Sequence, residues 1–229
     1  MTQAGEIRVM TSGAFKEAYQ ALVPEFERAS GRKVATIQAP SIEMMKRLKG
    51  GETVDLVIMA GNSIDELIRD GKIVPGSRAD LAKSGVGVAV RAGAAKPDIG
   101  SVEAFKRALL GAKSVAYSSG PSGVYLAGLF ERMGIAAALK DKVKQVKGGP
   151  VGPLVARGEA DIGFQQVSEL LPVAGIEFVG PLPPEVQQIT VFSAGLHVAA
   201  AEPEGAKSLV KFLTAPEAAP AIRRTGMEP

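Results

Sequence analysis

Tyr117-Ser118-Ser119-Gly120-Pro121-Ser122-Gly123-Val124-Tyr125 joins a strand to a helix through small hydroxyl residues and glycines. An apolar run over residues 113–116 precedes it and reads as a buried strand. Leu126, Leu129, Phe130 and Met133 follow at helical spacing. A strand therefore ends, small hydroxyl residues and glycines turn, and a helix begins. The first N–H groups of a helix have no intrahelical partner and lie at the positive end of its dipole. Such a turn can hold an anion without a lysine. Serine hydroxyls add neutral donors, and glycine lets backbone approach a ligand closely. Taken alone, Ser118, Ser119 and Ser122 are ordinary turn and N-cap serines.

The same grammar recurs along the chain. Ile7-Arg8-Val9-Met10 reads as a strand, Thr11-Ser12-Gly13 as its loop, and residues 14–29 as a helix. Phe15, Tyr19, Leu22 and Phe26 form that helix's apolar stripe, and Pro24 is expected to kink or split it. Lys33-Val34-Ala35-Thr36-Ile37 leads through Ala39-Pro40-Ser41 into a helix over residues 42–48. Val54-Asp55-Leu56-Val57-Ile58-Met59-Ala60 suits a central parallel strand. Asn62 or Ser63 then caps a helix, with Ser63 and Glu66 in capping-box spacing. Further on, Val143-Lys144-Gln145-Val146 runs into Gly148-Gly149-Pro150. Asp161-Ile162-Gly163-Phe164 runs into Gln165-Gln166, one of which faces the ligand side by alternation.

Alternating strands and helices point to an α/β protein with doubly wound sheets, in which ligands sit at the carboxyl ends of strands. Two long apolar stretches, residues 85–91 and 189–200, bracket about 100 residues. They read as a two-strand hinge between a discontinuous lobe, residues 1–84 plus 194–229, and an inserted lobe, residues 85–193. The serine loops would then face each other across a cleft.

Composition narrows the function classes. The net charge is +3, from 27 basic and 24 acidic residues with the signs interspersed, and aromatics make up 5%. That argues against nucleic acid, which calls for a basic stripe interleaved with aromatics. No run reaches the ~18 apolar residues of a membrane span. The absence of cysteine excludes disulfides, thiolate catalysis and cysteine-ligated metal, and one histidine makes a transition-metal site a poor fit. No cofactor is expected. Gly-x-Ser-x-Gly, phosphate-loop and His-Glu-x-x-His patterns are missing. Met1-Thr2-Gln3-Ala4-Gly5-Glu6 does not read as a signal peptide. The expectation is a mature periplasmic form whose leader is not in this sequence, with a cytoplasmic location left open.

At these residues the chain resembles the substrate-binding proteins of ABC transporters, in the molybdate-type branch of the type II periplasmic binding fold. Pro121-Ser122-Gly123-Val124-Tyr125 and its helix carry the resemblance, as do the strand ending at Ala60 and Leu154-Val155-Ala156-Arg157-Gly158-Glu159-Ala160-Asp161-Ile162-Gly163. Phe212-Leu213-Thr214-Ala215-Pro216-Glu217-Ala218-Ala219 completes it. The resemblance implies a monomer that closes on a small anion such as molybdate or tungstate and delivers it to an ABC transporter permease. Carried over by position, the contacts fall on Ser12, Gly13, Ser41 and Ser122, with a backbone contact near Gly148 or Gly149; Ser118 and Ser119 add further hydroxyls, Ser119 and Gly149 being the candidates taken, and Gln166 is the last candidate contact. Two departures stand out. Gln166 occupies the place of the family's binding tyrosine, and Gly13 the place of a serine. An amide both donates and accepts, whereas a fully charged tetrahedral oxyanion wants donors only. An organic carboxylate is therefore the alternative ligand.

The main expectation is a binding protein rather than an enzyme. An isomerase of unsaturated carboxylic acids on the same scaffold is the rival. It would need a base, for which Glu43 and His197 are the candidates. The plain reading of Glu43 is a first-turn acid complementing a helix dipole, and that of His197 is a packed strand residue.

Overall fold

The computed structural model describes residues 5–229, so the reading of Met1-Thr2-Gln3-Ala4 lies outside the described residues. Strands and helices alternate as follows: β1 (Ile7–Thr11), α1 (Lys16–Ser30), β2 (Val34–Gln38), α2 (Ser41–Lys49), β3 (Leu56–Ala60), α3 (Gly61–Arg69) and β4 (Ala79–Arg91). Then come α4 (Val102–Gly111), β5 (Val115–Ser118), α5 (Pro121–Arg132), α6 (Ala136–Leu139), β6 (Val143–Val146), α7 (Gly152–Ala156), β7 (Ile162–Gln166), α8 (Val167–Leu170) and β8 (Ile176–Pro181). The chain finishes with β9 (Ile189–Leu196), α9 (Pro203–Leu213) and α10 (Ala219–Arg224). Two compact units result. One contains the residues up to Lys83 together with Val191–Pro229, and the other is Ser84–Thr190. The chain leaves the first unit within β4 and re-enters it within β9.

In the first unit the strands run in the order β2-β1-β3-β9. β1 pairs in parallel with β2 and β3, while β9 runs antiparallel to β3. All five residues of β3 are buried. Leu56, Ile58 and Ala60 join Ile7, Phe15, Leu22 and Phe26 on one face, and Val57 and Met59 join Met44, Leu48, Ile64 and Leu67 on the other. Helices cover both faces, which is why the strand reads as an unbroken apolar run. α1 continues through Pro24, so the helix is not split there. Proline in a helix interior costs ~3 kcal/mol. The buried Leu22, Val23 and Phe26 of α1 contribute ~1.5–3 kcal/mol each, which together exceeds that cost.

The capping box expected at Ser63 is not formed. β3 runs directly into α3, whose N-cap is Ala60. Ser63 is already helical, and Glu66 instead pairs with Lys49 at 2.5 Å. At the amino end of β3, Asp55 is 2% exposed and accepts from the Arg8 N–H at 2.7 Å and the Glu202 N–H at 2.8 Å. His197 sits at this same end. Its N–H donates to the Asp55 carbonyl, and its Nδ1 accepts from the Ala199 N–H at 3.1 Å. Burial, reinforced by the Lys72 charge, holds the imidazole below its usual pKa.

In the second unit the order is β4-β7-β5-β6, with β8 also on β4. β5 is parallel to β6 and β7, and β4 is antiparallel to β7 and β8. Both sheets are therefore mixed. The strand through which the chain enters or leaves each unit runs against its neighbours. The core gathers Val86, Val88, Phe105, Val115, Tyr117, Leu126, Phe130 and Phe164, with Phe105 edge-on to Phe164 and Tyr117 edge-on to Phe130. α5 starts so close to the end of β5 that a Cβ on Gly123 would overlap the Ser118 carbonyl oxygen.

Gly123→Ala is therefore expected to destabilise the protein by about 2 kcal/mol or more, because backbone must move to admit the methyl group. A melting temperature several degrees lower would register this, and an unchanged one would contradict the close turn. His197 gives a pH prediction. Its folded pKa lies below the unfolded value of about 6.5, so the unfolded chain binds the proton more readily. Its contribution is intact above about pH 6.5 and is lost as the pH falls towards the folded pKa, by at most about 1.4 kcal/mol per pH unit. His197→Asn should lose less stability than wild type between pH 7.5 and 5.5, measured by thermal melts at both.

Candidate functional site

In the first unit, parallel register places the carboxyl ends of β1, β2 and β3 along one edge, with Thr11 opposite Gln38 and Ile58. The loops carrying Ser12, Gly13 and Ser41 leave from this edge. Ser12 is 3% exposed, and its N–H donates to the Ile58 carbonyl at 3.0 Å. Its hydroxyl oxygen is buried without a partner. A buried hydroxyl with no partner costs ~1–3 kcal/mol. Gly13 opens a short 3-10 turn that runs into α1. Ser41 is the first residue of α2 itself, one position inside the boundary expected from sequence, and Pro40 is the N-cap. Ser41 therefore presents its own N–H at the first turn, where no intrahelical acceptor exists.

In the second unit, β5, β6 and β7 also end along one edge. Ser118 lies opposite Val146, and Tyr117 opposite Phe164. Ser118 Oγ accepts from the Gly120 N–H at 3.2 Å, so this serine closes its own turn. Ser119 Oγ accepts from the Gly148 N–H at 3.4 Å and links the β5 and β6 loops. Its own O–H remains available to donate. Ser122 is buried in the first turn of α5. Pro121 has no N–H, so the N–H groups of Ser122 and Gly123 are the first that α5 presents. Gly149 lies in the loop between β6 and α7. Tyr125 donates to the Val186 carbonyl at 2.7 Å.

The two glutamines at the end of β7 are both buried, and both amides are occupied. Gln165 Oε1 accepts from the Val151 N–H at 2.8 Å, and its Nε2 donates to Glu169 at 2.9 Å. Gln166 sits among Ser84, Gly85 and Thr190. Oriented to satisfy both ends, its amide nitrogen donates to the Ser84 and Gly85 carbonyls, each at 3.1 Å, and its oxygen accepts from the Thr190 hydroxyl at 3.2 Å. The side chain therefore ties β7 to β4 and to the start of β9.

Glu169, which sequence reasoning missed, is partly exposed in α8 while its carboxyl lies deep among protein atoms. Desolvation pushes it up to about 7, against the pull of hydrogen bonds from Gln165 and the Gln166 N–H. The only signal in the sequence is an acid three residues after the strand end. Neither expected base is well placed. Glu43 is exposed and paired with Arg47 at 3.3 Å. His197 lies at the opposite end of β3 from the serine loops. Among the described residues, no group of three or more histidine, cysteine or acidic side chains is arranged to hold a metal.

The aconitate isomerase of a Pseudomonas species is 40% identical over 97% of this chain and 87% of its own length. The molybdate-binding protein ModA of Azotobacter vinelandii is 27% identical, over 98% and 90%. The structure of the periplasmic molybdate-binding protein of Azotobacter vinelandii superposes with a TM-score of 0.80 at 21% identity, over 96% of this chain and 98% of that one. The fold is thus that of the periplasmic binding proteins, as the resemblance implies. The profile of the family described as bacterial extracellular solute-binding protein matches residues 7–228, and to that family the chain belongs.

Proposed function

We propose that the solute taken by this protein is a small organic acid carrying several carboxylates. It is held by serine hydroxyls and helix-start amides from strand-end loops. The protein works in the periplasm, and its family implies an ABC transporter permease as partner. The observation that carries an anionic ligand is the Ser12 hydroxyl, buried and unpartnered at the end of β1. A ligand oxygen beside it would accept the hydrogen bond that the protein leaves unmade. Ser41, Ser119, Ser122 and Gly149 are the further contacts assigned to the ligand.

Three features favour an organic acid over a bare tetrahedral oxyanion. Gln166 spends its amide on Ser84, Gly85 and Thr190, so no donor replaces the tyrosine of the molybdate-type pattern. Ile42, next to Ser41, is 59% exposed, and Val124, two residues after Ser122, is 68% exposed. Apolar side chains at these turns suit a carbon skeleton. The third is the relative named aconitate isomerase, which also favours a second reading: that the chain isomerises an unsaturated tricarboxylic acid.

Calorimetry with trans-aconitate, cis-aconitate, citrate and molybdate tests the ligand class. Tight binding of one or more of the acids is expected, and heat from molybdate alone would replace this reading with the oxyanion one. Ser12→Ala should weaken the favoured acid about tenfold or more, as expected for a hydrogen bond to a charged group. It should leave the unliganded melting temperature unchanged or higher, because it removes an orphan polar atom.

A further inference from the structure

A protein that only binds an unsaturated acid needs donors; one that isomerises it also needs a proton acceptor close to the reacting carbon. We propose that Glu169 is that acceptor, carrying a proton between two carbons of an unsaturated tricarboxylic acid. This assignment rests on the isomerase reading above and supplies the residue that reading lacks.

The geometry connects Glu169 to the ligand edge of its unit. Its carboxylate accepts from Gln165 Nε2 at 2.9 Å, and Gln165 Oε1 in turn holds the Val151 N–H at 2.8 Å. Val151 ends the loop that contains Gly148 and Gly149, and the Gly148 N–H is bonded to Ser119 Oγ. Hydrogen bonds and one short loop therefore run from Glu169 past Gly149 to Ser119 along the carboxyl ends of β7, β5 and β6. The carboxyl is fixed by two donors, from the Gln165 side chain and the Gln166 backbone, which leaves further lone pairs free. Glu169 follows the end of β7 by three residues, on the edge of the sheet that also carries the Ser119 and Gly149 loops.

A structural role also exists, because Glu169 reaches back to the N–H of Gln166, the N-cap of α8. A glutamine would cap equally well without bringing a charge into a desolvated place. A carboxyl held near neutrality is what proton transfer at physiological pH requires, and such groups concentrate at functional sites.

The step balances without a co-reactant. In the substrate class, a methylene carbon bearing a carboxylate adjoins a carbon–carbon double bond. The Glu169 carboxylate takes one methylene proton, so C–H breaks and O–H forms. The electron pair spreads over the three-carbon allylic unit and into its carboxylates, where the amides of Ser122 and Gly123 and the serine hydroxyls can stabilise it. The same carboxyl returns the proton to the far carbon, so O–H breaks and C–H forms. The double bond moves by one position, and nothing is oxidised or reduced. The two end carbons carry equivalent substituents, so the product is the same acid with changed geometry about the double bond.

The test uses the full chain with trans-aconitate as probe, following the cis isomer by NMR and affinity by calorimetry. Wild type should interconvert the isomers. Glu169→Gln keeps one acceptor oxygen for the Gln165 amide and should fold. It should lose about a thousandfold in rate, with the dissociation constant within about threefold of wild type. Wild type that binds without interconversion overturns the isomerase reading and this role with it. Wild type that interconverts while Glu169→Gln keeps its rate, or loses affinity and melting temperature but not turnover, overturns the role of Glu169 alone. If Glu169→Gln does not fold, Glu169→Asp decides. A tenfold or greater loss of rate at unchanged affinity supports the role, and an unchanged rate overturns it.

Discussion

Parallel strands cannot be joined by a tight turn; each must be followed by a crossover that covers a face of the sheet before the next strand begins. In the first unit this constraint sends the loops after Thr11 and Gln38, and the start of α3 after Ala60, out along one edge. In the second it does the same after Ser118, Val146 and Gln166. A helix starts soon after most of these strand ends, so backbone N–H groups without intrahelical acceptors collect along each edge. The location of the site is thus a consequence of pairing direction. The residues placed in the loops adjust its chemistry but not its position.

The two ends of β3 treat buried polar groups differently. Asp55, at the amino end, has one carboxylate oxygen on the Arg8 N–H and the other on the Glu202 N–H. It staples three segments of chain and leaves little unsatisfied. Ser12, at the carboxyl edge, is equally buried and keeps a hydroxyl with no partner. An orphan atom alone does not mark a site, since His197 Nε2 is also unpartnered at the amino end. Ser12 differs because its orphan sits on the edge at which α2 and α3 begin, so an anion bound there would also lie on the side of their first N–H groups. Completing such a set on binding is more favourable than any single bond, because the fold holds the donors in place before the ligand arrives.

The strand, loop and helix order was legible because apolar periodicity and small hydroxyl residues are local signals. Ser12, Gly13 and Ser41 fall at one sheet edge, and Ser119, Ser122 and Gly149 at another, through that order alone. What was not legible depended on tertiary surroundings. Pro24 reads as a break until the buried stripe around it is weighed. Ser63 and Glu66 have the right spacing, but no room exists for a cap when β3 passes straight into α3. Gln166 stands where a binding residue was expected, yet its amide is drawn to the carbonyls of Ser84 and Gly85, which no local pattern announces. Glu169 was overlooked for the same reason, because desolvation belongs to the packed environment rather than to the sequence.

A carrier and an isomerase on this scaffold would differ by very little. Amides and hydroxyls that hold the carboxylates of an unsaturated acid also lie where charge gathers when a proton leaves the adjoining carbon. Binding and stabilisation of the intermediate therefore come from the same groups, and only proton transfer remains to be added. An exposed carboxylate cannot add it efficiently, because near pH 7 it is too weak a base. A carboxyl that burial lifts to about 7 can, provided it is held still. In this chain, Gln165 and the Gln166 N–H supply that restraint. Gln165 is itself anchored by Val151, so the proton acceptor and the Gly148–Gly149 loop are positioned by one set of bonds. A change of function from transport to catalysis would then require no new fold and no metal ligand, only a substrate carbon brought within reach of that carboxyl.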